Sequence, residues 1–453
     1  MKKSTVRNIA PIKADSVERR SACPGLFRMT PARDGRICRV KLSCGRLVAR
    51  QARAVADVAD RYGNGIIEIT NRANLQLRGI GENDADHVIL ALTQAGLGPL
   101  VPEGDDIRNV MVNPAAGIDD ALAFDIIPLA ESLLETLQTT PAYHALSPKF
   151  SILLDGGEAC AVARHTSDIW LAATQNGKHF AFGLASCPPV EADDAPALGM
   201  VAAENTAALV TGLLDLFLEL STERPGVVRM KHLLTEMPAS DILERLRSRL
   251  PFPIEQAFAW RRPAPHPFAH LGVHQQRQQG LAYAGAATPL GRLMPQDLRA
   301  LADLAVQVND GHIRLTPWQS VLLPDLTANR ADDILERMNA IGLASDPAEP
   351  LASMIACSGS NGCAAALADT QTDGVKLAQL LKNAEAVPVH LTGCAKSCAS
   401  IRPAPATLVA VEPGRYDLFL RATAGPSRFG RLLAANITIE EAARLLNGRV
   451  SSS

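Results

Sequence analysis

Residues 45–77 recur as residues 291–323 without a gap, with twelve identities in thirty-three positions at an offset of 246. A chain that spells the same stretch twice is constrained to build two related halves. Gly45-Arg46-Leu47 faces Gly291-Arg292-Leu293, and Arg53, Ala54, Ala56, Asp57 and Ala59 recur as Arg299, Ala300, Ala302, Asp303 and Ala305. Gly65, Ile67, Thr70 and Leu77 recur as Gly311, Ile313, Thr316 and Leu323.

Each copy predicts a strand, then a helix with apolar spacing, then glycine and a β-branched strand. Val55, Val58 and Ala59 mark the first helix and Leu298, Leu301 and Leu304 the second. Two readings follow: an α+β unit made of two related lobes, or two similar but independent α/β units. Between the copies, residues 100–255 carry strand signals near 150–155 and 169–173 and amphipathic helices near 203–220 and 239–249. A segment of similar character follows the second copy. RRPAPHPFAH, 261–270, is the best linker candidate. The expected order is lobe 20–98, domain 99–258, lobe 268–344 and domain 345–453.

The last domain holds Cys357 and Cys363 in CSGSNGC and Cys394 and Cys398 in TGCAKSC. C-x5-C and C-x3-C pairs among Gly and Ser suit the wrapping of an inorganic core. Zinc also accepts four thiolates, although its structural sites favour shorter knuckles, and unrelated buried thiols are a third reading. Cys23, Cys38, Cys44, Cys160 and Cys187 lack paired spacing and read as structural thiols.

A second constellation is cationic. Arg72, Asn74, Gln76 and Arg78 alternate with Leu75 and Leu77, so on a strand they would share one face. Arg108 and Lys149 each precede a predicted strand. Converging cations of this kind suit a polycarboxylate ligand, since arginine grips carboxylates with two donors; taken singly, each also reads as a solvated face. The second copy has Pro317 and Trp318 where the first has Asn71 and Arg72, so a single copy keeps the cation. His266, His270 and His274 lie four residues apart and could bind one metal ion on a helix, but Pro263, Pro265 and Pro267 argue for a histidine-containing linker.

The remaining sequence excludes several classes. The 453 residues are 47% hydrophobic and 20% charged with a net charge of −2, as for a multidomain globular protein with no bulk attraction to nucleic acid or anionic membrane. Aromatic content of 4% leaves few stacking platforms for single strands. The stretch Leu209–Leu220 is too short and too charged to span a bilayer, and residues 1–20 lack the apolar core of a secretory signal, so a cytoplasmic location is expected. Neither a G-x-G-x-x-G turn nor a P-loop is present, so nicotinamide electrons would arrive through a partner.

The cysteine pattern, the duplication and the cationic segments together resemble the sulfite and nitrite reductase superfamily over about residues 20–430. Within it, Cys23-Pro24-Gly25-Leu26-Phe27-Arg28 and the Pro-Leu-Gly-Arg-Leu of 289–293 look most like the precorrin-3B synthase branch. The resemblance implies an α+β protein: duplicated ferredoxin-like half-lobes combined with two α/β sulfite-reductase-like domains, the second binding an iron–sulfur cluster. By the same resemblance Cys357, Cys363, Cys394 and Cys398 hold a [4Fe-4S] cluster. Arg72, Arg108 and Lys149 match the catalytic and tetrapyrrole-binding cations, with Asn74, Gln76 and Arg78 joining them on the substrate wall.

The branch implies dioxygen-dependent hydroxylation and γ-lactone formation on precorrin-3A, in aerobic cobalamin biosynthesis. It also implies an external donor, a ferredoxin or an NADH-dependent reductase, and a mononuclear non-haem iron whose ligands do not stand out in the sequence. Two departures bear on the branch. Ser151 stands where the sulfite reductases carry a lysine, which removes charge that would steady a small anion. Pro405 stands where the reductase signature has an acid. The alternative within the superfamily is a sirohaem-dependent nitrite or sulfite reductase.

Overall fold

The computed structural model describes residues 24–381, 388–400, 404–421 and 428–450. Cys23 and the stretch read for a signal lie outside them. In the first lobe, β1 (Thr30–Ala32), β2 (Gly35–Val40), β3 (Arg46–Val48), α1 (Ala49–Tyr62), β4 (Ile67–Ile69), β5 (Leu75–Ile80) and α2 (Ala85–Gln94) follow in order. Helix α1 forms because Ala52, Val55, Ala56 and Ala59 repeat at helical spacing and are wholly buried. The Gln51 side chain accepts from the Val48 N–H at its start, satisfying one orphan donor.

The first domain contains β6 (Val110–Val112), α3 (Ile127–Thr139), β7 (Ile152–Asp155), β8 (Ser167–Ala173), β9 (His179–Ser186) and β10 (Gly199–Ala202), then α4 (Thr206–Thr222), α5 (Met230–Glu236) and α6 (Ala239–Arg247). The second lobe contains β11 (Gly272–Gln275), β12 (Leu281–Ala287), β13 (Arg292–Leu293), α7 (Pro295–Asn309), β14 (His312–Leu315), β15 (Ser320–Thr327) and α8 (Ala331–Ala340). The second domain contains α9 (Pro350–Ser353), β16 (Ile355–Ala356), α10 (Gly359–Gly362), α11 (Thr370–Leu380), β17 (Val389–Thr392), β18 (Ala406–Glu412), β19 (Arg415–Leu420), β20 (Arg431–Ile437) and α12 (Ile439–Val450).

These strands make four five-stranded sheets, and the two lobe sheets exchange a strand. β3 of the first lobe pairs antiparallel with β14, while β13 of the second pairs antiparallel with β4. The exchange rules out two independent α/β units. Helices α1 and α7 pack together, and one apolar core runs through both lobes. Across their interface Arg53 pairs with Asp303 at 2.6 Å, and Arg299 pairs with Asp57 at 2.7 Å. These are the repeated residues of the sequence, so the lobes are related by a pseudo-two-fold rotation. Cys44 and Leu290, at matching positions, both take left-handed backbone angles, as do Ala73 and Gln319.

The two domains share a topology as well. β6, β7 and β8 run parallel and β9 and β10 return antiparallel; β16, β17 and β18 run parallel, with β19 and β20 antiparallel. Lengths differ, but the order of partners is the same.

Candidate functional site

β16 and β17 are parallel neighbours, with Ala356 opposite Leu391, so their carboxyl ends lie side by side. Cys357 follows β16 at once and Cys363 follows the single turn of α10; Cys394 and Cys398 lie in the loop after β17. Two pairs thirty residues apart in sequence thereby share one end of one sheet, the usual place for a site in parallel α/β structure. The Gly393 N–H donates to Cys357 Sγ at 3.1 Å, and Thr370 Oγ1 lies 3.4 Å from the same sulfur. Position 393 must be glycine, because a Cβ there would sit 2.5 Å from that of Ala366.

Burial pushes the Cys398 thiol up first, and Cys394, Cys357 and Cys363 push it further by their charge. Among the described residues, no three His, Cys, Asp or Glu side chains meet closely enough to hold one metal ion. Four thiols in loops at one end of one sheet are a donor set that would hold an iron–sulfur cluster.

The cationic residues gather at another place. Arg72 is not on a strand as its alternation predicted. It lies in the β4–β5 hairpin turn beside Ala73, whose φ of 54° turns the chain before β5 begins. Its guanidinium donates to the Lys149 carbonyl at 3.4 Å. Arg108 precedes β6 and is buried, with Nη2 2.9 Å from Asp105 Oδ1. Arg72, Asn74, Arg108, Ser151 and His165 line one small pocket, and exposed Lys149 adjoins it through that carbonyl.

Gln76 and Arg78 are not part of this lining: Gln76 bonds Glu68 and Arg39, and Arg78 is paired with Asp34 and Glu68. Ser151 is buried, its N–H donating to Asp168 Oδ2 at 2.9 Å, and Asp168 pairs with Arg229 at 2.8 Å.

Sequence reasoning missed Arg39 on β2, which runs beside β5 with Arg39 opposite Gln76, and Lys41 just beyond that strand. Lys41 is buried, and Nζ donates to the Asp105 and Asp106 carbonyls, both at 2.7 Å. Burial pulls its pKa down to about 8 against the pull of Asp105 and Asp106. The alternation Arg39-x-Lys41 next to a polar β5 was the signal for them.

A larger cavity, about 490 Å³, opens between the two hairpin turns, touching Asn71 from the first and Pro317 and Trp318 from the second. Its walls also include His165, shared with the cationic pocket, and Ser400 just beyond Cys398. His270 stacks on Trp318 with ring centres 4.4 Å apart, and burial pulls its pKa down to about 3. His274 lies on β11 and stacks on Tyr283 instead. The three histidines form neither a helix face nor a metal group, and no ligand set for a mononuclear iron assembles among the described residues.

Among the described residues, no helix is long and apolar enough to cross a membrane. Residues 30–95 and 274–341 match the nitrite/sulfite reductase ferredoxin-like half domain. Residues 103–254 match the nitrite and sulphite reductase 4Fe-4S domain; this is the first large domain, whereas the four cysteines lie in its topological twin.

The chain is 28% identical to a chloroplastic ferredoxin–nitrite reductase of Zea mays over 87% of this chain and 73% of the relative. It is 29% identical to a precorrin-3B synthase of a Sinorhizobium species over 96% of this chain and 94% of the relative. Its fold is similar to that of the Mycobacterium tuberculosis NirA protein, with a TM-score of 0.74 and 22% identity over 92% of this chain and 80% of that one.

Proposed function

This chain belongs to the nitrite and sulphite reductase family, and from that premise we propose that it oxygenates a tetrapyrrole, converting precorrin-3A to precorrin-3B. The carrying observation is the composition of the small pocket. Arg72 and Arg108, with Lys149 adjoining, offer cations for the acetate and propionate groups of a macrocycle, whereas buried Ser151 stands where a reductase lysine would steady a small anion. The Sinorhizobium precorrin-3B synthase supports the same reading, since it aligns over nearly its whole length while the maize nitrite reductase leaves about a quarter unmatched. The adjoining cavity, mostly apolar, is of a size for an organic ligand.

The roles divide as follows. Arg72, Arg108 and Lys149 orient the substrate by its carboxylates, with Asn74 on the pocket wall beside them. Cys357, Cys363, Cys394 and Cys398 would hold the iron–sulfur cluster, which when bound supplies electrons singly. One oxygen atom of dioxygen enters the macrocycle as hydroxyl while a ring acetate closes the lactone on the adjacent carbon. Two electrons and two protons carry the other atom off as water. An external reductant provides the electrons.

Aerobic incubation with precorrin-3A, a reductant and ¹⁸O₂ tests the reading: a product heavier by one labelled oxygen is expected. Stoichiometric sirohaem bands with nitrite or sulfite reduction and no oxygen gain would overturn it in favour of the reductase alternative. Arg72→Ala is expected to weaken tetrapyrrole binding by about 1.5–3 kcal/mol with iron content unchanged. Equal loss of iron would make Arg72 structural.

A further inference from the structure

Arg78 alternates with the residues of the cation wall in sequence, yet it closes on the loop that carries Cys357 and Cys363. Its side chain is 2% exposed, and it holds both Asp34 oxygens at 2.9 and 2.8 Å. The remaining donors reach Glu68 Oε2 at 3.3 Å, Ser358 Oγ at 3.0 Å and the Gly362 carbonyl at 2.6 Å. The other Glu68 oxygen accepts from Ser358 Oγ at 3.0 Å and from Arg292 at 3.1 Å, and Arg292 also donates to the Ser358 carbonyl at 3.3 Å. Ser358 follows Cys357 and Gly362 precedes Cys363, so side chains from both lobes grip the backbone next to both thiols. A Cβ at Gly362 would sit 2.5 Å from Arg78 Nη2, so any other residue there would displace the guanidinium from these partners.

The same hub reaches β2 through Gln76. Gln76 donates to Glu68 Oε2 at 2.7 Å and accepts from Arg39 Nη2 at 2.8 Å. Arg39 in turn lies among the charges that act on Lys41, as does Arg108.

We infer that Arg78 and Glu68 are positioning residues for the cysteine loop, fixing the backbone at Cys357 and Cys363 and setting the field in which the cluster is reduced. Gln76 links the same Glu68 to Arg39 on β2. Charges and hydrogen bonds just outside the ligands tune a metal centre, and here Arg78, Arg292 and Glu68 stand beside the loop. The inference rests on the cluster assignment and not on the identity of the substrate.

Redox titration of the anaerobically purified holoprotein, followed by EPR without substrate, tests it. Arg78→Met removes a positive charge and is expected to lower the reduction potential; Glu68→Gln removes a negative one and is expected to raise it. Each changes the reduced-to-oxidised ratio at a fixed ambient potential by about tenfold, which is 59 mV for a one-electron couple. Should Arg78→Met fail to fold with Asp34 and Glu68 stranded, Glu68→Gln decides alone, because Arg78 stays paired with Asp34.

Wild-type potential and line shape in Glu68→Gln at full iron and sulfide content would overturn the inference. So would a raised KM for the tetrapyrrole with an unaltered EPR signal, which would make these residues substrate ligands. Wild-type protein without iron and acid-labile sulfide would overturn the cluster assignment and this inference with it, leaving the oxygenation assay to judge the substrate separately.

Discussion

The two large domains place different chemistry at the same point of the same topology. Cys357 directly follows β16; Asn113 directly follows β6. Where the second domain gathers four thiols, the first gathers a buried polar network. Asn113 Nδ2 donates to Asp155 Oδ1 at 2.8 Å and to Glu158 Oε2 at 2.6 Å, and Arg262 clasps Asp155 through Nε and Nη2 at 2.5 and 3.2 Å. The strand ends make a cradle in both halves. One strand end carries the four thiols, and the other is closed by a side chain from the segment that joins the halves. The comparison predicts that both fillings are needed, but for different properties.

The largest effect falls on the thiol side: Cys394→Ser is expected to remove the cluster, read as loss of iron, sulfide and EPR signal with far-ultraviolet circular dichroism preserved. An intact signal would remove Cys394 from the ligand set. On the network side, Arg262→Ala strands the Asp155 carboxylate, which is 2% exposed, and is expected to cost about 3–5 kcal/mol in denaturant unfolding with the cluster retained. If the cluster were lost and stability kept, the division between the domains would be wrong.

Glu158 sharpens the contrast through pH. It is fully buried, its Oε1 has no hydrogen-bond partner among the described residues, and burial followed by the Asp155 charge pushes its pKa up to about 8. A carboxyl that stays protonated in the folded state while the unfolded chain ionises makes the folded state bind more protons, so stability falls as pH rises. The fall begins near the ordinary carboxylate range and ends near pH 8, with a slope of at most about 1.4 kcal/mol per pH unit. Glu158→Gln is expected to flatten that profile in urea unfolding between pH 5 and 8. An unchanged slope would place the titration elsewhere.

The duplication, the helices α1 and α7 and the paired cysteine loops were legible in sequence because each is a local pattern. The exchange of β3 and β13 was not. Two- and three-residue strands state that they are extended but not which sheet they join, and pairing between residues as distant in sequence as Val48 and His312 is a property of the packed core. Arg72 was misplaced on a strand because Ala73 takes a left-handed angle without the glycine or asparagine that usually marks one. Arg78 was put on the right strand with the wrong neighbours, since alternation shows which residues share a face but not what lies across from it. Arg262 looked like linker because its Asp155 partner lies 107 residues away.

The smallest expected effect compares the lobes themselves. Arg53 meets Asp303 alone, whereas Arg299 meets both Asp57 and Asp60 at 2.7 Å, the counterpart of Asp60 being Val306. All of these groups are at least about a third exposed, so each coupling lies in the range of about 0.2–1 kcal/mol for surface pairs. Double-mutant cycles on Arg53 with Asp303 and on Arg299 with Asp57 should both give a favourable coupling, and Arg299→Ala should cost more than Arg53→Ala because it releases two carboxylates. In 1 M salt, where the screening length falls to about 3 Å, the difference should largely vanish. Equal costs for the two arginines at low salt would mean that Asp60 adds nothing and that the interface has kept its original symmetry in energy as well as in form.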